Sequence, residues 1–100
     1  MPLSSSVGSK GFTLQNNTVY HVPNVKKLPL SLPKDYDLDY CSMLCFDTRR
    51  SDCDFTLADV YFTGDDTVDG EFVPIEGKRY TVFIWYDSTF QAVVRGVPYA

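Results

Sequence analysis

One histidine serves the whole 100-residue chain, and there is one tryptophan. His21 lies inside the apolar run Thr18-Val19-Tyr20-His21-Val22, and no Ser-Gly or Cys-Gly elbow occurs anywhere. Nucleophilic catalysis needs a nucleophile beside a base, and that grammar is missing here. A Gly-rich phosphate cradle is missing too. Basic residues are few and scattered. The longest runs are Lys26-Lys27 and Arg49-Arg50, and the formal net charge is −4. Phosphate neutralisation requires clustered Lys and Arg, so nucleic acid is not an expected partner. No stretch approaches the roughly 18 apolar residues of a membrane helix. Residues Met1 to Gly11 hold no apolar core of signal-peptide length. The expectation is a protein made and kept in a cytoplasm, or exported without a leader.

Cysteine is scarce and odd in number: Cys41, Cys45 and Cys53. Without a leader, an odd count argues against a disulfide framework and for free thiols. A zinc site with His21 as fourth ligand would want close paired spacings, which three and seven intervening residues do not supply. No metal and no cofactor are expected.

What the chain does contain is apolar and aromatic: 44% hydrophobic and 15% aromatic residues, a globular profile of single-domain size. Residues 1–11, MPLSSSVGSKG, are small and polar and read as a flexible N-terminal arm, with Leu3, Val7, Lys10 and the adjoining Phe12 as candidate docking residues. Residues 12–100 read as one β domain, because short apolar runs alternate with Asn, Asp, Gly and Pro clusters. Strands are expected at Thr18 to Val22, at Lys26 to Leu32 and at Asp39 to Asp47. Pro29 lacks a ladder donor, so the second of these reads as an edge strand. In the third, Tyr40, Ser42, Leu44 and Phe46 share one face while Cys41, Met43 and Cys45 share the other, which suits a central position. Arg49 to Asp54 reads as a turn, Phe55 to Thr63 as one bent strand, Gly64 to Gly70 as a loop and Glu71 to Ile75 as extended. Arg79 to Tyr86 and Phe90 to Arg95 read as a hairpin about Asp87-Ser88-Thr89. No ten-residue segment has helical periodicity, and there is no internal repeat. The expected fold is all-β: a small antiparallel β-sandwich or flattened barrel.

Several motifs invite chemistry. Asp35, Asp37 and Asp39 imitate the start of a calcium loop, but Tyr40 stands where that loop needs Gly and Phe46 where it needs Glu, so a solvated edge is the better reading. Asp65, Asp66 and Asp69 occupy a Gly-bounded turn that could hold calcium or simply be acidic. Asn16-Asn17-Thr18 fits the N-glycosylation pattern and reads as a turn leading into a strand. Paired carboxylates can run glycoside hydrolysis, but that requires a groove of set width, which so small a domain rarely provides. Phe83, Trp85, Tyr86 and Phe90 cluster on the C-terminal hairpin, either as core or as a surface for subunits or sugar rings.

The run Thr13-Leu14-Gln15-Asn16-Asn17-Thr18-Val19-Tyr20, the Leu-rich Leu28-Pro29-Leu30-Ser31-Leu32-Pro33, the strand Tyr40 to Phe46 and the sequence Ile75-Glu76-Gly77-Lys78-Arg79-Tyr80 before an apolar strand form a recognisable order. It resembles small β-domains of tailed-bacteriophage virion proteins over Phe12 to Gly96. The resemblance implies a structural virion role, as head fibre, capsid decoration or appendage, assembled in the host cytoplasm. It implies homo-oligomers, often trimers, docked on other virion proteins, with no catalytic residues. Met1 at the start suits a free-standing gene product whose arm, residues 1–11, docks on a neighbour. A carbohydrate-binding or host-adhesion module is the alternative, with Tyr and Trp stacking on sugar rings; a small enzyme is the third reading.

The common premise is a strand-built chain. Far-ultraviolet circular dichroism is expected to show a β spectrum, and a helical double minimum would contradict it.

Overall fold

The computed structural model describes residues 3–6, 12–22, 27–33, 39–48 and 54–98. These form eleven strands and no helix: β1 Leu3–Ser6, β2 Phe12–Thr13, β3 Thr18–His21, β4 Lys27–Ser31, β5 Cys41–Asp47, β6 Asp54–Leu57, β7 Val60–Gly64, β8 Thr67–Val68, β9 Glu71–Phe72, β10 Lys78–Asp87 and β11 Thr89–Pro98. The fold is all-β. A six-stranded sheet, ordered β1-β3-β5-β10-β11-β7, faces a three-stranded sheet, β2-β4-β6, and β8 and β9 form a separate small sheet.

The sheets are mixed, which corrects the antiparallel expectation. β1, β3 and β5 pair in parallel, and so do β2, β4 and β6. From β1 to β7 the chain changes sheet at every step, so it winds as a flat coil with one strand of each turn in each sheet. Parallel neighbours need a crossover between them. Here the crossover itself carries a strand in the opposite layer, and no helix is found among its described residues. β7 pairs parallel with β11, β11 antiparallel with β10 and β10 antiparallel with β5, so β7 runs in the same direction as β5. It continues the coil, with the β10–β11 hairpin wedged between it and the preceding turn.

This winding explains the other departures. β4 lies between β2 and β6, so Pro29 is not on an edge strand; β2, however, pairs only at Leu30 and Ser31, leaving Pro29 beyond its reach. The stretch Phe55 to Thr63 is two strands, divided at Ala58-Asp59, because the chain there passes from one sheet to the other; Asp59 takes a positive φ of 66° at that turn. The loop Gly64 to Gly70 contains β8, which pairs with β9. In the expected arm, Leu3–Ser6 is the outermost strand of the large sheet, paired with β3; Val7 and Lys10 lie outside the described residues. So do most of the Arg49 to Asp54 turn and Cys53.

Period-two alternation sorts side chains as expected. Ser42, Leu44 and Phe46 of β5 are buried, as are Tyr80, Val82 and Ile84 of β10 and Phe90, Ala92 and Val94 of β11. Leu28, Leu30 and Leu57 of the three-stranded sheet close the same core. The ring of Phe46 stacks on Tyr80 at 5.4 Å and on Phe55 of the facing sheet at 5.6 Å. These rings tie the two layers together through aromatic contact as well as area. Buried polar groups are paired. The Tyr40 hydroxyl donates to the Leu14 carbonyl at 2.6 Å and lies 3.1 Å from the Ser42 hydroxyl, and burial raises its pKa against the lowering effect of Ser42. The Tyr20 hydroxyl donates to the Thr13 carbonyl and accepts from the Gln15 amide. Tyrosine hydroxyls thus pin the crossing from β2 to β3.

Gly64 ends β7 with φ +104°, and a Cβ there would stand 2.3 Å from the Val94 carbonyl oxygen. Gly77 has φ +90° but open space around it. Gly77→Ala should therefore cost only backbone strain, about 1 kcal/mol, whereas Gly64→Ala must also displace the β7–β11 ladder and should cost at least about 2 kcal/mol more. Urea denaturation of the two variants checks the order; equal losses would contradict the close packing at Gly64.

Candidate functional site

The outward face of the large sheet is built by the residues that alternation keeps out of the core. The ladders align them: Val19 on β3 faces Met43 on β5, Met43 faces Phe83 on β10, Phe83 faces Val93 on β11, and Val93 faces Thr63 on β7. An apolar row therefore crosses the sheet at right angles to its strands. Phe83 is 36% exposed and Val93 43% exposed, while Val19 and Met43 are half-buried. The next row reads Cys41, Trp85, Gln91 and Tyr61, with Tyr61 53% exposed. Phe83 and Trp85 lie 5.8 Å apart with rings tilted by 36°. Charge collects beyond the rows, with Arg79 and Arg95 towards one end of the hairpin and Asp87 at the other. An apolar centre with a charged rim is the usual layout of a protein contact surface.

The four aromatics expected to cluster on the hairpin, Phe83, Trp85, Tyr86 and Phe90, thus divide. Phe83 and Trp85 belong to the outward face. Phe90 is buried and Tyr86 half-buried on the inner side, their rings 5.1 Å apart, with Tyr40 a further 5.1 Å from Phe90. Those two pack the hairpin end of the core and border a cleft of about 520 Å³ with Leu32 and Pro33, where Asp59 is the one carboxylate among the described lining residues. Of the candidate docking residues, Leu3 lies in β1 and Phe12 in β2, on opposite layers.

No three of His, Cys, Asp or Glu gather to hold a metal ion among the described residues. His21 is exposed on the last residue of β3, opposite Cys45. Asp39 is exposed, and Asp35 and Asp37 lie outside the described residues. Asn16 ends in a turn as expected, its side-chain oxygen accepting from the Cys41 amide at 3.0 Å. The acidic turn at Gly64 to Gly70 has structural work. Asp65 accepts from the Gly96 amide at 2.9 Å, and one oxygen of Asp66 accepts from Lys78 Nζ at 2.8 Å and from the Tyr80 hydroxyl at 2.6 Å. The Tyr80 oxygen in turn accepts from the Ile75 amide. Burial would raise the Asp66 carboxyl, but the hydrogen bonds from Lys78 and Tyr80 and the lysine charge outweigh it and hold its pKa below the usual value. Burial, and then the bond to Asp66, pushes the Tyr80 hydroxyl well up. The trio fastens the 64–77 segment to β10. Sequence reading missed it because Asp66, Lys78 and Tyr80 share no short spacing, and it missed Val19, Met43 and Val93 because strand order cannot be read from alternation.

Compared with family models, curated protein sequences and solved structures, the chain matches none.

A depressed carboxyl stabilises the fold above its unfolded pKa, near 3.9, and that contribution fades as pH falls through the lower folded value. Asp66→Asn, which still tolerates the positive φ of 56° there, should cost about 1–3 kcal/mol at pH 7. In urea titrations from pH 7 to pH 2 the gap between wild type and variant should narrow below about pH 4. A gap that stays constant would contradict the assigned role.

Proposed function

We propose that this chain is a structural assembly subunit whose outward sheet face packs against copies of itself. The observation that carries this reading is the apolar row Val19-Met43-Phe83-Val93, laid across four neighbouring strands and, among the described residues, without a covering layer, since the second sheet faces the opposite side. An apolar side chain on a sheet face gains by removal from water, at about 25 cal/mol per Å². Repetition of a modest contact around a closed assembly makes it sufficient. The β-domain resemblance supplies the setting: a tailed-bacteriophage virion accessory, of head-fibre or capsid-decoration type, homo-oligomeric with the trimer favoured, docking on other virion proteins. Binding is favoured over catalysis because Asp65 and Asp66, the paired carboxylates of the acidic turn, are taken up in hydrogen bonds to Gly96, Lys78 and Tyr80. The sugar-binding alternative would use the same Phe83 and Trp85, but rings tilted by 36° with Trp85 half-buried make a poorer platform for a flat sugar face than for interdigitating side chains.

Light scattering on the native protein at micromolar concentration is expected to give an oligomer. Phe83→Asp should yield a monomer with an unchanged β spectrum. A monomeric wild type, or an oligomer indifferent to Phe83→Asp, rejects this reading.

A further inference from the structure

The two faces of the sandwich are unequal. Six strands oppose three, and the small β8–β9 sheet stands apart. β6 is the last strand of the three-stranded sheet, and β9 pairs on one side only, with β8. No ladder joins β6 to β9, yet a single cleft of about 440 Å³ is walled by both. Its base is aromatic: Phe55 of β6 lies 5.0 Å from Phe72 of β9, and Phe62 of β7 lies 5.9 Å and 5.8 Å from these two rings. The bond from the Phe62 amide to the Gly70 carbonyl, 2.9 Å, closes the back of the cleft. Asp59 and Glu71 are exposed on its rim, and no Lys or Arg stands among the described residues that line it. β6 itself reads Asp54-Phe55-Thr56-Leu57, with neither the Lys nor the Pro that protects many edge strands from pairing.

We propose that this cleft is a slot for an extended peptide strand carrying Lys or Arg, received from a partner protein. A guest strand between β6 and β9 would join them into one layer, ordered β2-β4-β6-guest-β9-β8, and the second sheet would then match the first in width. Strand addition draws affinity from main-chain hydrogen bonds and selectivity from alternate side chains. Here the inward side chains of the guest would meet Phe55, Phe62 and Phe72, and its outward cations would meet Asp59 and Glu71, with the exposed Asp54 at the start of β6 reinforcing the field. The four residues of β6 offer about 13 Å of edge, enough for a guest of about four residues at ~3.3 Å each. The site lies on the layer opposite the outward face proposed for self-association, so one subunit could use both at once.

The probe is an N-acetylated, C-amidated hexapeptide of alternating lysine and valine, added to wild-type protein. Amide chemical shifts should move in β6 and β9, while the fluorescence of Trp85, on the other face, stays constant. A peptide N-methylated at alternate residues keeps charge and apolar content but cannot pair along a strand edge, and should bind at least about tenfold more weakly. The double variant Asp59→Asn, Glu71→Gln should bind the lysine peptide several-fold more weakly, as rim charges dictate. The proposal is overturned if the peptide fails to bind at millimolar concentration, if Trp85 responds while β6 and β9 do not, if N-methylation leaves affinity unchanged, or if the double variant binds as well as wild type.

Discussion

The register of the C-terminal hairpin is the constraint on which the rest of the molecule depends. With Tyr80 opposite Phe46 and Val82 opposite Leu44, three side chains of β10 enter the core and Phe83 and Trp85 leave it. A slip of one residue would exchange the two sets, placing Thr81, Phe83 and Trp85 inside and turning the buried aromatic stack out to water. Core and contact surface are therefore two sides of one pairing decision. The ten-residue length of β10 and β11 makes that decision firm, because each added pair fixes the same phase.

Around this pairing the polar groups act as fasteners. Tyr40, Tyr20 and Tyr80 each bury a ring and send a hydroxyl to a main-chain or carboxylate partner. Thr48, fully buried after β5, is bonded to Ile75 and Lys78 through its hydroxyl and to Gly77 and Lys78 through its backbone. A chain that changes layer at every strand has many crossings, and crossings leave backbone groups outside the ladders. These side chains and turns satisfy many of them, as burial requires.

The sequence displays alternation well and pairing poorly. β3, β5, β10 and β11 are legible because extended apolar runs are flanked by turn formers: Asn16-Asn17 before β3, Asp39 before β5, Gly77 before β10 and Ser88 between β10 and β11. The coil is not legible. Its turns are unequal, running from Leu3 to Thr18 and then to Ser42 in one sheet and from Phe12 to Leu30 and then to Leu57 in the other, so no fixed repeat reveals it. The change of sheet at Ala58-Asp59 is hidden for a related reason: two residues suffice for the turn, and the apolar run continues almost unbroken through it. Phe83 and Trp85 are recognisable as partners on one face, whereas their alignment with Val19 and Met43 depends on which strands lie side by side, and that is a tertiary fact.

The wedged hairpin also sets an order of events. β7 belongs to the winding that begins with β1, yet its only lateral neighbour in the large sheet is β11, the last strand described. As a ribosome delivers the chain, the first three turns can stack on one another, but β7 must wait with an unpaired flank until some thirty further residues emerge and the hairpin closes over it. Non-local closure of this kind slows folding. The newborn chain thus passes through a stage in which its fourth turn is exposed, and sticky, before its final strand arrives.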